Sequence, residues 1–150
     1  MTETPANGVF WPSPTVKETV SFVIVGKAVS KQGSRSTVIP TASGFVTRHY
    51  TPENVTNWAA YVKLVASQYQ RTPLWDGPIR VHILIERMRP KARKKDYWCT
   101  TAPDLDNIEK NLYDAFHGIL YTNDARIVDK HVSKIYSDVD QVSVRMELLE

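Results

Sequence analysis

Between Pro78 and Arg87 the chain alternates strictly, with Ile79, Val81, Ile83 and Ile85 set against Arg80, His82, Leu84 and Glu86. A period of two puts the four β-branched residues on one face of a strand, and that face must be buried. A sheet built around such a strand needs a covering layer, and two helical patterns in the sequence are suited to form it. The first opens at Thr51-Pro52-Glu53, where a capping hydroxyl, a proline at the first helical position and a first-turn acid stand together. Val55, Trp58, Ala59, Val62, Val65, Ala66 and Tyr69 carry it at helical spacing to about Gln70, before the stretch from Pro73 to Pro78 breaks it. The second runs from about Asp104 to His117 and stops at Gly118, with Leu105, Ile108, Leu112, Ala115 and Phe116 on one face.

Further strands are expected at Thr19 to Val25, weakly around Gly44 to Arg48, at Ile127 to Tyr136 and at Val142 to Leu148. The resulting order, β-(β)-α-β-α-β-β, predicts a single α+β domain over residues 18–150: a mixed sheet with two main helices packed on it. Residues 1–17, with Pro5, Pro12 and Pro14 and little periodicity, read as a flexible N-terminal tail.

Composition limits what this domain can be. A chain of 150 residues, 42% hydrophobic and 23% charged, can bury a sizeable core and is not a wholly disordered polymer. No apolar run approaches the roughly 18 residues of a membrane span, and Met1 to Pro14 lack the pattern of a secretory signal. The single cysteine, Cys99, excludes an intramolecular disulfide and fits a reducing, cytoplasmic setting. The formal charge of +3 hides a division: residues 1–96 hold 14 Lys/Arg against 6 Asp/Glu, whereas residues 104–150 hold 5 against 10. That division suggests polyanion binding in one place and cation binding in the other.

The acidic third contains the chemistry. Asp104 and Asp106 are two apart, and they converge only if Asp104 sits in extended or capping geometry before the helix. They would then offer one hard cation such as Mg²⁺ or Mn²⁺ the oxygen ligands it prefers, with Asp124 as a third acid. A structural reading stands beside this one. Asp104 caps the helix, Asp106 favours its dipole, Asp106, Lys110 and Asp114 form a solvated ladder, and Asn123-Asp124 is a plain turn. Asn107 and Asp114 are candidates for outer support of the cluster or for capping and packing.

In the basic part, Arg87, Arg89, Lys91, Arg93, Lys94 and Lys95 crowd around Pro90 in a loop or strand extension. Lys91, Arg93, Lys94 and Lys95, with Lys27, Lys31 and Arg35, are the expected phosphate contacts, and Lys134 is a further one. Tyr97 and Trp98, beside them, either stack on an unpaired base or belong to the core.

The run Pro103-Asp104-Leu105-Asp106-Asn107-x-x-Lys110, then Asp114-Ala115, Gly118, Asp124 in a turn and Lys134, resembles the RusA-type Holliday junction resolvases of bacteria and their phages. A second similarity lies upstream, in the strand ending at Gly26 followed by Val29-x-Lys31-Gln32 and Arg35. The resemblance covers about residues 20 to 148. It implies a homodimeric, Mg²⁺-dependent endodeoxyribonuclease of bacterial or phage-infected cells, with no other cofactor, that resolves four-way DNA junctions by paired symmetric nicks. It further implies that Asp104, Asp106 and Asp124 hold the metal and that Lys110 is the catalytic lysine. Two positions depart from the pattern: Asn123 replaces a usual acid, and the stretch from Lys31 to Arg35 lacks the fuller arginine cluster. The alternatives are a nuclease of the same fold acting on other branched or flap DNA, and a non-catalytic DNA-binding phage regulator.

Overall fold

The computed structural model describes residues 2, 3, 8, 11–31, 35–50 and 53–150. Its strands are β1 (Thr2–Glu3), β2 (Trp11–Pro12), β3 (Val16–Val25), β4 (Arg35–Thr41), β5 (Gly44–Tyr50), β6 (Ile79–Met88), β7 (Ile127–Ser137) and β8 (Gln141–Leu149). Two α-helices, α1 (Glu53–Ser67) and α2 (Leu105–Phe116), complete the expected α+β domain. β3, β8, β6 and β7 form one mixed sheet in that order, with only the β6–β7 pair parallel. The connection between those parallel strands runs through α2, the crossover that parallel pairing requires.

Register explains why one face of this sheet is dry. Phe22, Val144 and Ile83 lie in one cross-strand row, Ile24, Val142 and Ile85 in the next, and Val20, Met146 and Val81 in a third. All nine are buried. α2 lays Ile108, Leu112, Ala115 and Phe116 into the same core, and α1 adds Trp58, Val62 and Ala66. Phe22 ties the layers together, stacked on Tyr69 with ring centroids 5.0 Å apart and edge-on to Phe116 at 5.6 Å. On the opposite face His82 bonds Glu147 at 2.8 Å and stacks on His131, and burial followed by the Arg145 charge lowers the His82 pKa in spite of Glu147.

Three boundaries differ from expectation. β3 starts at Val16, inside the expected tail, because β8 extends the ladder far enough for Val16 to pair with Leu149. Thr2–Glu3 and Trp11–Pro12 pair with each other, while most of the remaining tail lies outside the described residues. The weak strand around Gly44 is half of a hairpin whose other half, β4, spans Arg35–Thr41. Thr37, Val38 and Ile39 supply its β-propensity, and Pro40 is tolerated because the pair has free edges. The Thr51-Pro52 helix start falls outside the described residues; from Glu53 the helix runs as expected and ends at Ser67.

Candidate active site

α2 begins after Asp104, whose φ of −70° and ψ of 148° are extended, the conformation of a capping residue. A capping carboxylate normally accepts a bond from the amides of the first turn. That of Asp104 makes no such bond. Asp106 follows in the first turn and Lys110 one turn later, both exposed. Among the described residues neither forms an ion pair, so the solvated ladder does not exist; Asp114 pairs with Lys31 instead. Of the structural explanations of these acids, the side-chain cap at Asp104 and the ladder at Asp106 are therefore absent, and the first-turn dipole position of Asp106 remains.

The segment that delivers Asp104 is fastened along β7. The Cys99 amide donates to the Lys134 carbonyl at 3.1 Å and the Tyr136 amide to the Tyr97 carbonyl at 2.8 Å. Lys134 Nζ donates to the carbonyls of Thr101 and Pro103, each at 2.6 Å. Lys134, expected at a phosphate, thus holds the loop that presents Asp104. On the other side, the Lys31 amide donates to the Asn107 carbonyl at 2.9 Å, and Asn111 Nδ2 donates to the Val29 carbonyl at 3.0 Å. These bonds lay the basic segment 27–31 beside α2. Asn111 escaped the sequence reading; its one signal is an amide flanking the apolar stripe between Ile108 and Leu112.

Asp124 occupies the other end of α2. It opens a 3-10 turn, Asp124–Arg126, in which Asn123 Oδ1 accepts the Ala125 amide at 2.9 Å. This cap gives the amide at position 123 a function of its own, at the position where the resemblance implies an acid. One Asp124 oxygen is buried with no hydrogen-bond partner and lies 3.9 Å from His117 Nδ1. Nearby, Tyr121 is fully buried and donates its hydroxyl to the Tyr113 carbonyl at 3.0 Å. Burial, reinforced by the Asp124 charge, pushes the Tyr121 hydroxyl far above its usual range and keeps it a donor. Asp104 and Asp106 therefore both lie at the N-terminal end of α2, whereas Asp124 is set beside the C-cap of the same helix. Among the described residues no three His, Cys, Asp or Glu side chains gather as a metal site. Donor chemistry fits a hard divalent cation best at the Asp104–Asp106 pair, two carboxylates with no other commitment.

The basic surface sits on the loop between β6 and α2. Lys91, Lys94 and Lys95 are exposed there, while Arg93 pairs with Asp96 at 3.1 Å and Arg89 closes the loop onto the carbonyls of Arg93 and Asp96. Tyr97 and Trp98 are 57% and 60% exposed, so they are not core residues. Their rings meet edge-on with centroids 4.9 Å apart. Lys27 is exposed, and Arg35 is the first residue of β4.

Comparison with known proteins places this arrangement. The protein is 30% identical over 136 residues to "Uncharacterized protein YqaN" of Bacillus subtilis (strain 168), a match covering 83% of this chain and 93% of that protein. The family described as "Endodeoxyribonuclease RusA" matches residues 28–147, which include every candidate residue above except Lys27. The chain belongs to the RusA endodeoxyribonuclease family.

Proposed function

We propose that this protein is a divalent-metal-dependent endodeoxyribonuclease that resolves four-way DNA junctions by paired phosphodiester hydrolysis, acting as a homodimer. The observation that carries the reading is the uncommitted state of Asp104, Asp106 and Lys110 at one end of a buried, well-packed helix. Three exposed charges that no ion pair or capping bond engages, with only a small helix-dipole gain at Asp106, are retained most simply for chemistry. Asp104 and Asp106 would hold Mg²⁺ or Mn²⁺, which supplies a more acidic water and neutralises charge on the phosphoryl oxygens; Asp124, at the far end of α2, does not join them within one copy of the chain. Lys110, one turn beyond Asp106, binds a non-bridging phosphate oxygen and steadies the negative charge that grows on it. Asn107 supports the pair from within the same turn. Lys134 acts at one remove, because its grip on Thr101 and Pro103 sets where Asp104 stands.

DNA must be drawn to an acidic site by cations elsewhere. Lys91, Lys94 and Lys95, with Lys27, take phosphates, and Arg93 and Arg35 extend that track. Tyr97 and Trp98 offer exposed rings on which an unpaired base at a branch can stack. Two coordinated nicks need two sites, which a two-fold dimer supplies.

The deciding experiment compares cleavage of a synthetic four-way junction, a flap and a linear duplex, with and without Mg²⁺. Metal-dependent, paired nicking of the junction is expected. Preference for the flap would change the substrate and keep the chemistry. Binding without cleavage of any substrate would leave a DNA-binding protein and overturn the nuclease reading.

A further inference from the structure

The β4–β5 hairpin has no place in the core, and beyond Arg35 at its first position it has no role in the site described above. It forms a two-stranded sheet of its own, and every side chain described on it, from Ser36 to His49, is exposed. An isolated pair of strands is marginal in water, and this one carries Val38, Ile39, Phe45 and Val46 at 61%, 39%, 78% and 53% exposure. A concentration of apolar surface of this kind marks a binding site.

Register shows what sort. Residues directly opposite share a face, so Pro40 lies with Phe45 on one face and Ile39 with Val46 on the other. Both faces of the distal half are therefore apolar. A hairpin that docks flat on another protein surface needs one apolar face; a hairpin that is surrounded needs two. Towards its root the character changes: Thr37 pairs with Arg48 and Ser36 with His49. From Lys27 to Pro52 the sequence has four cations and no acid. Lys31, four residues before the hairpin, donates its amide to the Asn107 carbonyl on α2, next to Asp106 in sequence. Seven residues of strand reach about 23 Å from that root.

Resting on the nuclease reading above, we propose that the hairpin is a DNA-binding arm whose apolar tip, Pro40 with Phe45, wedges between bases at the branch point while its basic root follows the phosphates. Apolar side chains inserted between base steps are a known means of opening a stack, and proline and phenylalanine are among those used. A branch point is the least costly place for it, because stacking there is already interrupted.

The test uses the full-length protein and a four-way junction carrying 2-aminopurine beside the branch, in EDTA so that no cleavage occurs. Wild-type protein should raise the 2-aminopurine fluorescence. Phe45→Ala should abolish most of that rise and weaken junction binding about 10-fold, on the scale of losing one base–aromatic stack. Phe45→Trp should restore the affinity, and linear-duplex binding should change little in either variant. Because Phe45 is exposed, both variants should fold normally. A wild-type protein that cuts the junction in Mg²⁺ but leaves 2-aminopurine stacked, with Phe45→Ala binding unchanged, overturns the wedge and keeps the nuclease. Unstacking without cleavage of any DNA does the reverse. A shift of Phe45→Ala from dimer to monomer in sedimentation would make the hairpin a contact between copies of the chain and also overturn the proposal.

Discussion

At its N-terminal end α2 presents Asp104 and Asp106 with no side-chain partner among the described residues, whereas towards its C-terminal end Asp114 is paired with Lys31 and Asp124 lies beside His117 and the buried Tyr121. The same side chain thus meets two fates within four turns. Towards the C-terminal end Asp114 fastens the basic segment to the helix, while Asp124 is set half-buried beside His117. At the N-terminal end the fold leaves its carboxylates unspent, although both an adjacent lysine and free helix amides are within local reach. A carboxylate with a structural partner is expected to be missed through stability, and one without through chemistry.

Asp106→Asn is the strongest test of that division. Junction cleavage should fall by more than about 100-fold, the scale of losing even an outer partner of a metal ligand. Stability should drop only by the about 0.3–1 kcal/mol that a first-turn acid contributes. An Asp106→Asn variant that cuts normally would break the comparison at its chemical end. Lys134→Ala probes the link between the two kinds of residue. It leaves the carbonyls of Thr101 and Pro103 without their donor, so chemical denaturation should show a loss of about 1–3 kcal/mol. Cleavage should fall about 10-fold with metal affinity lowered, as expected for a positioning residue. Unchanged metal affinity would mean that the loop does not set Asp104. Smallest of all, Asp114→Asn removes an exposed ion pair worth about 0–1 kcal/mol and should leave the cleavage rate near wild type. A large catalytic loss there would extend the chemistry along the whole helix.

Much of this molecule is legible in its sequence, for reasons that also explain the remainder. The alternation at Ile79 to Ile85 and the stripe from Leu105 to Phe116 identify the central strand and the crossover helix, because burial imposes those periods. Gly118, with φ of +79°, ends α2 where expected. The hairpin was half legible: β4 has no buried face, so no alternation announces it. The acids illustrate a different gap. Spacing can bring Asp104 and Asp106 to the same turn, but it says nothing of whether Asp104 caps, nor that Lys31, far away in the chain, takes Asp114. Lys134 was misplaced for the same reason, as its partners are main-chain carbonyls that no side-chain pattern reveals.

β8 lies between β3 and β6, although it is the last strand of the sheet to be synthesised. Val25 must wait for Gln141 before β3 has a partner, and β6 lacks an antiparallel neighbour until the same moment. During translation the acid-bearing helix emerges well before the platform that seats it can close. Pairing at such sequence distance is slow to form and depends on nearly the whole domain being present. A nascent or prematurely ended chain would thus carry the carboxylates without the sheet that positions them, and the last strand acts as the step that arms the protein.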